Sequence, residues 1–222
     1  MSNHKHAAAL PVVVLISGSG SNLQAIIDAV QHDDLPVEIR AVISSRPDAY
    51  GLERARAANI PAEVVDHKAF NNRAEYEAEL QASIDQHEPA LVVLAGYMRI
   101  LGTAFVAHYQ GRMLNIHPSL LPAFPGLNTH QRALDANVAK HGASIHFVTN
   151  ELDGGPVILQ GSVPLLPNDD AQSLAKRVYS QEHQIYPLAI RWFAEGRLTA
   201  NAGNVRFDQK PLTHPIQYSD TR

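Results

Sequence analysis

The sequence predicts an α/β fold: a doubly wound, mostly parallel, Rossmann-like sheet with an antiparallel extension in the C-terminal half. Two observations predict it. Segments typical of strands and helices alternate up to about residue 95, as right-handed βαβ crossovers require. Beyond about residue 140, two strand-like segments follow each other with only a turn between them, which is typical of an antiparallel pair.

The first half of the chain contains four segments typical of strands. Residues 12–16 and 91–95 are unbroken apolar runs, and such runs indicate strands that are buried on both faces. Apolar residues at helical spacing, from Leu23 to Val30, predict the first helix. The predicted strands are 12–16, 37–44, 62–65 and 91–95, and the predicted helices are 22–31, 52–59 and 72–86. Asn71 or Asn72 is expected to cap the third helix.

The second half follows a different pattern. A strand over 112–116 is followed by a proline-rich stretch at 118–126 that excludes regular structure. Strands over 142–149 and 157–163 form a plausible hairpin, and a helix follows over 171–186. After residue 197 the signals are weak, and we expect a ragged final strand or a sheet edge.

Length and composition narrow the class of protein. The chain has 222 residues, a net charge of −4 and no cysteine, so disulfides and thiolate metal sites are excluded and no basic excess favours nucleic acid. Its apolar runs are too short to cross a bilayer, and the N-terminus lacks the apolar core of a signal peptide. We therefore expect one cytoplasmic domain over 1–222, with no membrane or nucleic-acid partner and no metal, since His4 and His6 alone do not indicate a metal site.

A glycine- and serine-rich loop, residues 17–22, joins the first strand to the first helix. Backbone N–H groups at such a junction favour a phosphate, and Ser21 and Asn22 add side-chain donors. The dinucleotide fingerprint fails because Leu23 stands where its third glycine belongs, and no Lys-Ser/Thr pair completes a P-loop. The loop is interpreted as a monophosphate site. The alternative is a flexible turn in which Ser or Asn caps the helix.

Asn115 and His117 lie at the end of the strand predicted for 112–116. The carboxyl end of a strand is where side chains meet ligand in such sheets, and the two residues share one side of an extended strand. A histidine there suits proton transfer, and an amide there suits an oxyanion. Asp153, in an Asp-Gly-Gly-Pro turn, is either a turn residue or a carboxylate that orients His117. Spacing alone does not join these three residues.

Glu182 falls on the apolar face of the helix predicted for 171–186, between Val178 and Ile185. An acid is costly there unless it is paired. It is either a partner for a substrate amine or ribose, or the sign of a helix end that reaches solvent. The sequence favours neither.

Several long motifs occur in order between about residues 12 and 196: 14–27, 92–101, 114–122, 146–149, 151–160 and 181–187. Together they make the chain resemble the folate-dependent glycinamide ribonucleotide formyltransferases of purine synthesis. The resemblance implies the formyltransferase fold, with about 1–100 as the phosphate-binding half, about 101–196 as the catalytic and folate-binding half, and 197–222 as a tail. It also implies a monomer or a homodimer.

The resemblance further implies transfer of a formyl group from 10-formyltetrahydrofolate, a co-substrate, to the amine of glycinamide ribonucleotide. His117 would be the general acid and Asn115 the oxyanion donor, while Asp153 would orient His117 and favour its imidazolium form. The implied substrate-binding residues are Gly20, Ser21, Asn22 and Glu182. The implied folate-binding residues are Arg73, Met98, Arg99, Ile100, Leu101, Asn115, Thr149, Glu151, Leu152 and Asp153.

Two positions depart from the family pattern. Asn150 stands where the family often has an acid, which a backbone contact would tolerate. Asn128 stands where the family often has a histidine, although His130 is kept. We assign no catalytic role to Asn128. If that position assists proton movement in relatives, this chain would manage without that assistance or use water.

Three other functions are alternatives for a chain with this pattern. Methionyl-tRNA formyltransferases usually carry a further basic C-terminal domain, whereas the predicted tail here, 197–222, has only about 25 residues. Formyltetrahydrofolate hydrolases usually carry an N-terminal regulatory domain, whereas the first strand here starts near residue 11. A non-catalytic nucleotide-binding module would have no need of Asn115, His117 and Asp153.

Overall fold

The computed structural model describes residues 9–33, 35–201 and 204–219; His4 and His6 lie outside them. The strands are β1 Leu10–Ile16, β2 Val37–Ser44, β3 Ala62–Val64, β4 Leu91–Leu94, β5 Met113–His117, β6 Lys140–Phe147, β7 Val157–Pro164, β8 Leu198–Asn201, β9 Asn204–Phe207, β10 Lys210–Pro211 and β11 Ile216–Gln217. The helices are α1 Ser21–His32, α2 Gly51–Ala57, α3 Arg73–Asp85, α4 Thr103–His108, α5 Thr129–Asp135 and α6 Ala171–Ala194, with a 3₁₀ turn at His67–Ala69.

The main sheet has eight strands in the order β11-β7-β6-β5-β4-β1-β2-β3. β1 pairs in parallel with β2 on one side and β4 on the other, so the direction of strand addition reverses at β1. β6 runs antiparallel to both β5 and β7. The fold class predicted from the sequence is therefore confirmed, including the antiparallel extension. The reversal point is where parallel sheets of this kind bind ligands.

Hydrophobic packing covers both faces of the sheet. Val12, Val14 and Ile16 of β1 pack into one cluster with residues of α1 and α6. Val13 and Leu15 pack into a second cluster on the opposite face, with residues of α3. All five side chains are fully buried. This is the two-sided burial that the unbroken apolar run predicted, and it holds the carboxyl end of β1 at a fixed position.

Helix α6 is longer than predicted. The expected end was residue 186, ahead of Pro187, but the helix runs through Pro187 to Ala194. Proline removes a hydrogen bond from a helix, yet Ala189, Ile190 and Trp192 beyond it are buried. Burial of that segment offsets the local cost.

The C-terminal segment forms more structure than predicted. β11 pairs in parallel with β7 and occupies the sheet edge that was expected for the tail. β8, β9 and β10 form a separate antiparallel sheet of three strands. The aromatic rings of Trp192 and Phe207 lie 4.6 Å apart, so this small sheet packs against the end of α6.

Candidate active site

The centre of the site is built on β5. This strand pairs in parallel with β4 and antiparallel with β6, so its carboxyl end lies inside the sheet. Asn115 is half-buried and His117 is 6% exposed. The chain then turns through residues 118–128 and returns toward the strand end. The predicted position of both residues at a strand end agrees with the structure.

Asp153 lies beside His117. The distance between His117 Nδ1 and Asp153 Oδ2 is 3.4 Å, and both side chains are less than a tenth exposed. The backbone N–H of Gly126 donates to the same carboxylate oxygen at 2.8 Å. Asp153 adopts a positive φ of 51°, a conformation that aspartate tolerates better than most residues. The turn thus holds a carboxylate against the histidine.

A second contact fixes His117 from the other side. Its Nε2 lies 3.0 Å from the backbone oxygen of Phe124, in the proline-rich loop. Because a carbonyl can only accept, Nε2 is the donor in this contact. Nε2 of His117 therefore faces a carbonyl, and Nδ1 faces a carboxylate. Each ring nitrogen thus has an acceptor to which it can donate.

His146 of β6 joins Asn115 to this pair, and sequence reasoning assigned it no role. Its Nε2 lies 3.0 Å from Asn115 Nδ2 and 3.8 Å from Asp153 Oδ1. The ring is 2% exposed, and burial lowers the pKa of His146 despite the opposing effect of Asp153. Its signal in the sequence was a polar residue inside a segment that otherwise predicts a buried strand.

The glycine-rich loop lies at the carboxyl end of β1, beside the reversal point. Gly20 precedes α1 with φ 70°, and no side chain caps that helix, so the alternative of a Ser or Asn cap is not observed. A Cβ on Gly20 would lie 2.6 Å from the Cα of Gly51, the first residue of α2. The loop and α2 therefore approach each other more closely than a side chain would allow.

Arg54 of α2 is a cation beside this loop that sequence reasoning missed. It donates to the backbone oxygen of Ser19 at 2.9 Å and to Gln24 Oε1 at 3.1 Å. The same arginine and Ser21 line a cavity of about 360 Å³. The other residues that line it are Gln24, Ala25, Asp28, Asp33, His183 and Gln184.

Glu182 lies well inside α6 and is 3% exposed. The interpretation as a helix end that reaches solvent is therefore wrong. Its Oε2 accepts a 2.7 Å hydrogen bond from Asn22 Nδ2, while Asn22 Oδ1 is buried and has no partner among the described residues. Burial raises the pKa of the Glu182 carboxyl, against the lowering effect of Asn22. The structure thus joins two of the predicted substrate-binding residues.

Apart from Asn115 on β5 and Asp153 in its turn, described above, the predicted folate-binding residues lie on loops and on the first turn of α3. Met98, Ile100 and Leu152 are among the most exposed large apolar side chains in the described chain, at 69, 67 and 58%. Large apolar groups left exposed on loops are typical of a binding surface. The remaining predicted members are Arg73, Arg99, Leu101, Thr149 and Glu151.

Arg73 is held by its neighbours. It donates to Glu77 Oε1 at 2.6 Å, and the same carboxylate oxygen accepts from the N–H of Gly102 at 2.7 Å.

The backbone N–H of Met98 donates to Ser17 Oγ at 2.9 Å. This last contact ties the segment after β4 to the glycine-rich loop.

Two features are absent from the described residues. In the ranges 9–33, 35–201 and 204–219, no three His, Asp or Glu side chains come together in a way that could hold a metal ion. None of the helices in that part of the chain combines the length and apolarity needed to span a bilayer.

Comparison with known proteins agrees with this geometry. The model of the formyl transferase family matches residues 10–190. The chain is 57% identical over 201 residues to phosphoribosylglycinamide formyltransferase of Escherichia coli, covering 90% of this chain and 95% of that one. It is 47% identical over the same length to phosphoribosylglycinamide formyltransferase of Haemophilus influenzae, with the same coverage.

Solved structures give the same result. The phosphoribosylglycinamide formyltransferase of Coxiella burnetii superimposes with a TM-score of 0.89 at 54% identity, covering 93% of this chain and 99% of that one. Glycinamide ribonucleotide transformylase 1 of Symbiobacterium toebii gives a TM-score of 0.87 at 46% identity, with coverage of 92% and 95%. The chain therefore belongs to the formyl transferase family, within its phosphoribosylglycinamide formyltransferase group.

Proposed function

We propose that the chain transfers the formyl group of 10-formyltetrahydrofolate to the amine of glycinamide ribonucleotide in de novo purine synthesis. The observation that carries this proposal is the grouping of Asn115, His117 and Asp153 at the carboxyl end of β5. The chain's similarity to the phosphoribosylglycinamide formyltransferases of Escherichia coli and Coxiella burnetii supports the acceptor. The folate donor, the residue roles and a cytoplasmic location are our inference.

The reaction needs an oxyanion donor and a proton donor. The substrate amine attacks the formyl carbon, and negative charge develops on the formyl oxygen. In this proposal, Asn115 Nδ2 and an N–H of His117 donate to that oxygen. The bond between the formyl carbon and the folate nitrogen then breaks. The folate nitrogen leaves with a proton, which His117 or an ordered water delivers. The attacking amine loses a proton, which replaces the one that His117 or the water gave.

Asp153 keeps His117 in place for this step. Its carboxylate faces Nδ1 of His117 at 3.4 Å and is itself held by the N–H of Gly126. A buried carboxylate in this position stabilises positive charge on the imidazole and fixes the plane of the ring. Because Nε2 faces the carbonyl of Phe124, substrate must replace that contact before His117 can donate to it.

The ribonucleotide is proposed to bind along α1, α2 and α6. Its phosphate would lie at Gly20, Ser21 and Asn22, where backbone N–H groups at the start of α1 are available. Arg54 supplies a positive charge beside the loop. Glu182 would bind the ribose or the amine, since it is one of the few buried acids near the loop and Asn22 already contacts it.

The folate is proposed to bind against residues 98–101, 149, 151 and 152, with Arg73 near its charged end.

Asn128 takes no part in the proposed reaction. It has φ 56° and ψ 35° immediately before α5, and no side-chain cap bond forms there. Asparagine tolerates this left-handed conformation, which gives its position a backbone role.

Substitution of the two central residues tests the proposal. Asn115→Ala and His117→Ala should each lower kcat by at least about 10²–10³-fold, because each removes a donor to the oxyanion. Circular dichroism and thermal unfolding show whether the variants are folded. A folded His117→Ala protein with near-normal turnover would contradict the assignment.

A further inference from the structure

His146 makes one contact that determines where its proton is. Its Nδ1 lies 2.9 Å from the backbone oxygen of Phe147, the next residue in the chain. A carbonyl oxygen can only accept a hydrogen bond, so Nδ1 carries the hydrogen. Both residues belong to β6, and His146 is 2% exposed, so water does not compete for this contact.

The other ring nitrogen is then an acceptor. Burial lowers the pKa of His146, so the ring is neutral at physiological pH and holds its single proton on Nδ1. Nε2 therefore presents a lone pair. The group 3.0 Å away is the side-chain amide of Asn115, and only its nitrogen can donate to that lone pair.

This contact selects one orientation of the Asn115 amide. If the amide were flipped, its oxygen would face the lone pair of Nε2 and the two would repel each other. An amide nitrogen has two N–H groups, so donation of one to His146 leaves the second for another acceptor. Asp153 Oδ1 lies 3.8 Å from the same Nε2 of His146. The Asn115 amide nitrogen that contacts this Nε2 therefore lies close to the His117–Asp153 pair.

We propose that His146 is a positioning residue that holds the Asn115 amide with its nitrogen toward the reacting centre. The inference rests on the proposed function, in which Asn115 donates to the formyl oxygen. His146 acts through Asn115 and does not itself contact substrate. Without it, the amide is free to present its oxygen to the developing negative charge.

A double-mutant cycle tests this inference. The proteins are the parent, Asn115→Ala, His146→Leu and the double variant, with kcat and KM measured for both substrates. His146→Leu should lower kcat about 10–100-fold, with KM changed less than about threefold, because a misoriented donor affects the transition state more than binding. The double variant should have the kcat of Asn115→Ala alone.

Two further variants sharpen the cycle. His146→Gln restores an acceptor oxygen and should recover part of the activity lost in His146→Leu. His141→Gln is the control: His141 is buried on the same strand but contacts His130, so its kcat should stay within about threefold of the parent. Multiplicative losses in the double variant, or parental kcat in folded His146→Leu, would overturn the inference.

A measurement on the unmodified protein covers the case in which His146 variants do not fold. In nitrogen-15 spectra of histidine-labelled protein near pH 7, His146 should show a protonated Nδ1 and an unprotonated Nε2. The opposite tautomer, or a doubly protonated ring, would reject the inference. If Asn115→Ala alone keeps parental kcat, the oxyanion role in the proposed function fails, whatever the spectra show for His146.

Discussion

Asp153 lies beside His117 because a turn with a left-handed residue brings its carboxylate back to the end of β5. The sequence placed Asn115 and His117 at a strand end from periodicity alone, and the structure agrees. Asp153 entered only through the family resemblance, since an Asp-Gly-Gly-Pro stretch is usually just a turn. Contacts between distant segments depend on loop paths, which local patterns do not contain.

Substitution of Asp153 by asparagine isolates the charge of this residue. Asp153→Asn keeps the size of the side chain and an oxygen for the N–H of Gly126. It removes the negative charge 3.4 Å from His117, so kcat should fall by at least about 10²-fold with little loss of stability. Steady-state kinetics and a thermal melt measure both effects, and an active Asp153→Asn enzyme would refute the role given to the carboxylate.

Arg54 was missed because a helix with several charges looks like a solvated surface. Arg54→Gln should raise KM for glycinamide ribonucleotide about tenfold, the equivalent of roughly 1.4 kcal/mol, and leave KM for the folate unchanged. Arg56→Gln is the matched control, because Arg56 lies on the same helix and pairs with Glu53. Equal KM values of the two variants for glycinamide ribonucleotide would show that Arg54 does not contribute to binding of this substrate.

At the scale of elements, the strands and helices of the regularly alternating first half were predictable, whereas two short helices beyond it were not. Two strands of the first half have unbroken apolar runs and its first helix has clear helical spacing, and the structure contains every strand and helix predicted there. Helices α4 and α5 have six and seven residues and no side-chain cap, so they leave no periodic signal. The continuation of α6 past Pro187 depends on tertiary burial, which overrides local propensity.

The approach of α2 to the phosphate loop gives a prediction for Gly51. A Cβ on Gly51 would lie 2.5 Å from Ile16 Cδ1 and 3.2 Å from the Cα of Gly20. Gly51→Ala should therefore displace α2 from the loop, destabilise the fold by about 1–3 kcal/mol and raise KM for the ribonucleotide. Chemical denaturation and kinetics measure these effects. Gly18→Ala, where a Cβ meets nothing within 4 Å, is the control for stability.

At the scale of the whole molecule, the α/β class and its antiparallel extension were predictable from the order of elements. The placement of β4 next to β1 was not, because it joins strands that are not consecutive in the chain. The pairing of β11 with β7 is likewise a long-range contact. Two residues of strand carry too little pattern to predict it.

Buried histidines make stability depend on pH. Burial, together with His130 and His117, lowers the pKa of His141 from 6.5 to about 4. Below about pH 6.5 the unfolded chain binds a proton that the folded protein does not, so the free energy of unfolding should decrease as pH falls from 6.5 to 4. The pKa values of His130, His146 and His183 are lowered in the same direction. Glu182 acts in the opposite direction, since burial raises its pKa.

Urea unfolding at a series of pH values measures this dependence. Between pH 6.5 and pH 4, the free energy of unfolding of His141→Gln should decrease by about 1–3 kcal/mol less than that of the parent. The reason is that the variant lacks one buried group that binds a proton only on unfolding. Parallel curves for the two proteins would show that His141 does not contribute.

The central claim is that this chain catalyses formyl transfer to glycinamide ribonucleotide. Its most direct test is to mix the protein with 10-formyltetrahydrofolate, with and without the ribonucleotide, and to follow free tetrahydrofolate. Formyl transfer to the ribonucleotide predicts release of tetrahydrofolate only when the acceptor is present. Release without the acceptor would indicate a hydrolase, and no release in either mixture would indicate a binding protein; either result would contradict the account.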